Sequence, residues 1–122
     1  MKTKILIVDD DEGLLDILKL MFKDSGFEVF TAEDEDSFLW AAMTHKPDIL
    51  ILDIMLGETD GTLSYQKLLA QGFDKKVPVI FLTALARDTN AILPQPGRTY
   101  ALMPKPFDYD KLIEGVTSLI RR

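Results

Sequence analysis

The sequence predicts a doubly wound α/β domain, a five-stranded parallel sheet with helices on both faces. Two observations carry that expectation. Short runs rich in Ile, Leu and Val lack strict polar alternation, as strands buried on both faces do. Between successive runs lie stretches whose apolar residues recur at helical spacing, so that strand and helix alternate as βαβαβαβαβα. A length of 122 residues suits one domain, and residues 1–122 are read as such.

Ile5–Val8 forms the first strand. Leu14, Leu18, Met21 and Phe22 share a face of the first helix, which Ser25-Gly26 ends. Phe27–Thr31 alternates more and belongs near a sheet edge. The run Glu33-Asp34-Glu35-Asp36 reads as a solvated helix start, and Phe38, Leu39, Ala42 and Met43 form the apolar stripe of the second helix, closed by Lys46-Pro47. Trp40 is expected to be a partly buried packing residue there, and His45, near the helix end, is given no phosphotransfer role. Ile49–Leu52 is the third strand; Leu63 and Lys67-Leu68 mark a third helix running to Gly72; Val77–Leu82 is the fourth strand. Thr89–Leu93 has helical character, but Pro94 and Pro96 cut it short, so the fourth helix should be shortened or irregular. Tyr100–Met103 is a weaker fifth strand. Tyr109, Leu112, Ile113, Val116, Leu119 and Ile120 then give the clearest helical stripe of the chain.

Composition narrows the function. The chain has no cysteine, which excludes disulfides and thiolate metal sites. No apolar run approaches the ~20 residues that span a bilayer, and Ile5–Val8 is too short for the core of a signal peptide. A cytoplasmic protein without membrane contact is expected. The net charge of −6 is unevenly placed: residues 1–60 carry fifteen acids and five bases (−10), residues 61–122 five acids and nine bases (+4). So acidic a first half argues against direct nucleic-acid binding, which needs clustered positive charge.

In doubly wound sheets ligands gather outside the carboxyl ends of the strands. Here the first strand runs into Asp9-Asp10-Asp11, the third into Asp53, the fourth into Thr83-Ala84 and the fifth into Lys105-Pro106. Two carboxylates ~4 Å apart repel by about 4 kcal/mol at an effective dielectric near 20, so such a cluster should raise a carboxyl pKa or recruit a cation. Oxygen-only ligands suit Mg²⁺ or Mn²⁺ rather than zinc. A carboxylate is a competent nucleophile for phosphoryl transfer, and a lysine and a hydroxyl can neutralise the phosphoryl oxygens. Taken singly, each residue has a plainer explanation: Asp11 as a helix N-cap, Asp53 as a turn residue, Thr83 as a satisfied buried hydroxyl, Lys105 as surface. Their coincidence at four strand ends favours chemistry.

The stretches Ile5–Asp11, Asp48–Leu56 with Asp60-Gly61, Phe81–Ala84 and Lys105-Pro106-Phe107 resemble, in order and spacing, the receiver domain of two-component response regulators. The resemblance covers the whole chain. It implies a flavodoxin-like (βα)5 sandwich with strand order 2-1-3-4-5. It also implies that Asp53 is the phosphoacceptor, that Asp10 ligates Mg²⁺ directly and Asp9 through water, and that the Met55 backbone carbonyl completes the protein's share. Thr83 resembles the switch hydroxyl, Ala84 leaves room for the donor, Lys105 pairs with the phosphoryl group, and the bond to Pro106 is expected to be cis. The implied partners are a sensor histidine kinase or phosphotransfer protein as donor and a downstream effector. The implied role is regulatory, catalysing only the domain's own phosphorylation and dephosphorylation.

Some positions depart from the family pattern. Gly57 stands where the family usually has proline, so a more flexible loop is expected. The aromatic switch position holds Leu102, with Tyr100 two residues earlier on the same strand face. Gly115 and Leu102 replace the Arg and aromatic of the winged-helix regulators' dimer, so a monomer or weak dimer is expected. The resemblance implies that the positions two after Asp53 and two after Thr83 set phosphate lifetime; here they are apolar Met55 and Leu85, which cannot orient a hydrolytic water, so a relatively long-lived acyl phosphate is expected, and an unchanged dephosphorylation rate in Leu85→Glu would count against this.

Three other readings compete. A receiver-like interaction module with phosphorylation-independent output draws on Gly57, Leu102 and the interrupted fourth helix. A Mg²⁺-dependent phosphohydrolase with an aspartyl nucleophile would want a general acid where Met55 stands. A flavin-binding protein would want a phosphate-cradling loop where Asp9-Asp10-Asp11 would repel it.

Overall fold

The computed structural model describes residues 2–83 and 100–120. Eleven elements follow in order: β1 (Lys4–Val8), α1 (Glu12–Asp24), β2 (Glu28–Ala32), α2 (Glu35–His45), β3 (Ile49–Asp53), β4 (Met55–Leu56), β5 (Thr59–Asp60), α3 (Gly61–Ala70), β6 (Val79–Thr83), β7 (Tyr100–Pro104) and α4 (Tyr109–Ile120). The main sheet is wholly parallel, in the order β2-β1-β3-β6-β7. Because β4 and β5 pair only with each other, this is the expected 2-1-3-4-5 order of five principal strands. Ala84, Leu85, Pro94 and Pro96, and with them the expected irregular fourth helix, lie outside the described residues.

Period-2 alternation splits each strand between two cores. Ile5, Ile7, Ile49, Ile51, Ile80 and Leu82 pack under α1 and α4. Leu6, Val8, Leu50, Leu52, Val79 and Phe81 pack under α2 and α3. All twelve are fully buried, which is why these strands read as continuous apolar runs. Helix starts are set by side-chain caps: Asp11 Oδ1 accepts from the Leu14 N–H at 3.2 Å, and Asp34 forms a capping box with Ser37.

Helical phase departs from the sequence reading in three places. On α1 the sheet-facing residues are Leu15, Leu18 and Phe22, while Met21 is exposed. On α2 they are Phe38, Ala41 and Ala42, with Met43 turned outward. Trp40 is not a packing residue: it is 63% exposed, because two residues on from Phe38 places it on the far side of the helix. On α3 Tyr65 and Leu68 are buried and Leu63 is exposed, since this helix's phase is set by how Gly61 docks at its start. Among the described residues no helix is long and apolar enough to cross a membrane.

Candidate functional site

Register alone brings the polar strand ends together. Val8 pairs with Leu52, Asp53 with Leu82 and Thr83 with Pro104, so Asp9, Asp53, Thr83 and Lys105 emerge from adjacent strands at one rim. Asp9 is fully buried and Asp53 nearly so, whereas Asp10 is exposed. One carboxylate oxygen from each of the three lies within 4.8 Å of the others.

Each carboxylate is held. Asp9 Oδ1 accepts from the Asp11 N–H at 3.0 Å, and Asp53 Oδ1 from the Met55 N–H at 3.0 Å. Lys105 Nζ bridges the other oxygens, 2.6 Å from Asp9 Oδ2 and 3.0 Å from Asp53 Oδ2. The lysine's own N–H donates to the Thr83 carbonyl at 2.7 Å, which fixes its backbone beside the end of β6. The peptide from Lys105 to Pro106 is cis. Burial pushes the Asp53 carboxyl above its ordinary value, and the Asp9 charge adds to this against the opposing Lys105 and Met55 hydrogen bonds. For Lys105 burial works to lower the pKa, but the hydrogen bonds to Asp9 and Asp53 outweigh it and the net shift is upward.

One ammonium against three carboxylates leaves a formal charge of −2 in an all-oxygen donor set. That chemistry fits a hard divalent cation, which prefers oxygen ligands and keeps water in its shell.

Two features of the β3–α3 connection escaped the sequence reading. The first is the hairpin β4–β5. Its two-residue turn has φ +64° at Gly57 and no positive φ at Glu58, the pattern of a type II′ turn. The loop at Gly57 is thus closed as a two-residue hairpin, and the Gly57 N–H donates to Asp10 Oδ2 at 3.1 Å. Gly-Glu between two short extended pairs was the available signal. The second is Gly61: its N–H meets the Ile54 carbonyl at 2.6 Å, and a Cβ there would collide with the Asp53 carbonyl oxygen. Thr83 is buried at the end of β6. Tyr100 and Leu102 lie half-buried against the α2–α3 core, with the Tyr100 ring edge-on to Phe81 at 6.5 Å.

The family model of the response regulator receiver domain matches residues 5–117. The chain belongs to this family. As a receiver domain it is a phosphoacceptor signalling module of two-component systems, regulatory in kind. It is 34% identical over 122 residues to the alkaline phosphatase synthesis transcriptional regulatory protein PhoP of Bacillus subtilis, covering 100% of this chain and 50% of that protein. With the DNA-binding response regulator MtrA of Mycolicibacterium smegmatis it shares 30% identity over 122 residues, 100% of this chain and 52% of that one. The receiver domain thus spans about half the length of these relatives. Among solved structures, the Francisella response regulator 1452 receiver domain superposes with a TM-score of 0.85 at 30% identity, covering 99% of this chain and 98% of that one. The receiver domain of a Pseudomonas aeruginosa sensor histidine kinase, which has a magnesium ion in its active-site cleft, shares the fold at a TM-score of 0.86 and 24% identity, with each chain fully covered.

Proposed function

We propose that Asp53 is the residue phosphorylated, with Mg²⁺ held by Asp9, Asp10, Asp53 and the Met55 carbonyl, and that the donor is a phosphohistidine of a sensor kinase or phosphotransfer protein. The observation that carries this is the convergence at one sheet rim of three carboxylates, with oxygens within 4.8 Å of one another, and the Lys105 ammonium hydrogen-bonded to two of them.

An Asp53 carboxylate oxygen attacks the phosphorus; the P–O bond forms as the P–N bond breaks, and the electron pair leaves with the imidazole. Lys105 already donates to Asp53 Oδ2 and turns its ammonium toward the phosphoryl oxygens as Asp53 becomes an acyl phosphate. When bound, the divalent ion supplies positive charge that offsets the carboxylates and the incoming phosphoryl group. Thr83, joined through its carbonyl to the Lys105 backbone, donates its hydroxyl to the phosphoryl group, coupling β6 and β7 to the chemistry. The domain therefore catalyses only its own phosphorylation and dephosphorylation, in the cytoplasm, and passes the change in shape to an effector. PhoP is a transcriptional regulatory protein and MtrA a DNA-binding response regulator, each about twice this chain's length; DNA contact is assigned outside this acidic segment.

Intact mass after incubation with Mg²⁺ and a small acyl phosphate tests the assignment. Wild type should gain one phosphoryl group and Asp53→Asn none. An unlabelled wild type under saturating donor would leave a phosphorylation-independent module as the better reading, and multiple turnover of ordinary phosphomonoesters would make it a phosphohydrolase.

A further inference from the structure

Asp10 differs from the other two acids of the cluster. Asp9 and Asp53 are buried and bridged by Lys105, whereas Asp10 is exposed and receives no lysine. An exposed aspartate beside two like charges is free to change rotamer, and repulsion favours the rotamers that point away. Among the described residues the contact that opposes this is the Gly57 N–H, which reaches Asp10 Oδ2 at 3.1 Å across 47 positions of sequence.

The bond depends on the turn. At φ +64° Gly57 adopts a backbone that L residues rarely take, and that conformation turns its N–H toward the β1–α1 loop. Proline is excluded twice, lacking the N–H and being fixed near φ −65°. A Cβ at Gly57 meets nothing within 4 Å, so a side chain is opposed there by the backbone conformation and not by a clash. An N–H bonded to one oxygen leaves a carboxylate most of its lone-pair sites for a cation, so the contact orients Asp10 without consuming it.

We infer that Gly57 is a positioning residue, whose backbone N–H holds the Asp10 carboxylate over the acidic cluster ready for a divalent cation. This rests on the proposed Mg²⁺ site and adds to it a residue that acts through the main chain.

The test uses Gly57→Pro, which removes the N–H, and Gly57→Asn, which keeps the N–H and tolerates positive φ. Calorimetric titration with MgCl₂ should give a Kd raised about fivefold or more in Gly57→Pro, as loss of a charge-assisted hydrogen bond at an exposed site implies. Gly57→Asn should stay within about twofold of wild type on the same reasoning. Equal affinities of wild type and Gly57→Pro, or an asparagine variant as weak as the proline one, would each overturn the positioning role. A metal-free measurement stands apart from these: the Gly57 amide proton resonance should move upfield in Asp10→Ala, and a stationary resonance refutes the contact even if Gly57→Pro does not fold. A wild type that binds no Mg²⁺ overturns both this inference and the site it rests on, whereas the other adverse results leave the phosphoacceptor assignment standing.

Discussion

Gly61 shows how tightly single residues constrain this site. Its backbone closes against Ile54 and Asp53 so that α3 begins directly behind the end of β3. A methyl group there would press on the Asp53 carbonyl oxygen, which is backbone and cannot swing away. Gly61→Ala should therefore cost about 1–3 kcal/mol in urea denaturation, as overpacking does. It should also slow acyl-phosphate labelling, because the displaced atoms belong to Asp53, the proposed nucleophile. A variant as stable and as reactive as wild type would mean that α3 shifts freely. At this scale much of the site was legible. Asp9, Asp10, Asp53, Thr83 and Lys105 stand where apolar runs stop, and a strand end is a local feature. The Gly57–Asp10 hydrogen bond and the Gly61 approach were not legible, since both depend on how separate loops meet in space.

Helix α2 is tied to α3 by a polar link in an otherwise apolar layer. Glu35 Oε1 accepts from the fully buried Ser64 hydroxyl at 2.8 Å, and Oε2 from Lys67 Nζ at 3.1 Å. The Ser64 hydroxyl first, and then Lys67, hold the Glu35 carboxyl below its ordinary value of 4.5. A depressed folded-state pKa means that the link stabilises the protein above the unfolded-state value and is lost as pH falls through the folded one. Glu35→Gln should accordingly melt below wild type near neutrality, with the gap closing below about pH 4; a gap independent of pH would count against the ionic part of the link. Glu33 behaves oppositely. A hydrogen bond with Glu12, and then the Glu12 charge, raise its pKa above 4.5, so its folded form binds the extra proton and stability declines as pH rises through that raised value. Glu33→Gln should raise the melting temperature at neutral pH and leave it unchanged in acid. Helix boundaries could be read from Asp11, Asp34 and Gly72, because caps act within a few residues. Helical phase could not: Met21, Trp40 and Leu63 show that an apolar residue in a helix does not reveal which side meets the sheet until neighbouring elements are in place.

Across the whole molecule the layered architecture followed from the pattern of runs, but strand order did not. Periodicity says that strands are parallel and doubly covered, and only family resemblance placed β1 between β2 and β3. The same holds for charge. The two halves of the chain differ by −10 against +4, and folding brings the basic half to the acidic one at a specific point, where Lys105 sits between Asp9 and Asp53. The ammonium serves as a built-in counterion for a rim that still carries surplus negative charge. Lys105→Met removes it and leaves two buried carboxylates facing each other, which should lower stability by about 1–3 kcal/mol; the rough 3–5 kcal/mol cost of breaking a wholly buried pair is reduced by the partial exposure of the lysine. A ligand that binds only the folded state stabilises it by RT ln(1 + [L]/Kd). Mg²⁺ should therefore raise the melting temperature of wild type, and raise that of Lys105→Met further, because the vacated charge favours the cation. The comparison is made at constant ionic strength, with NaCl replacing MgCl₂, so that general screening of the acidic rim is the same in every sample. Asp53→Asn, having lost one of the three carboxylates, should respond least. Equal shifts with Na⁺ and Mg²⁺ in all three proteins would reduce the cluster to diffuse charge and remove the cation from the site.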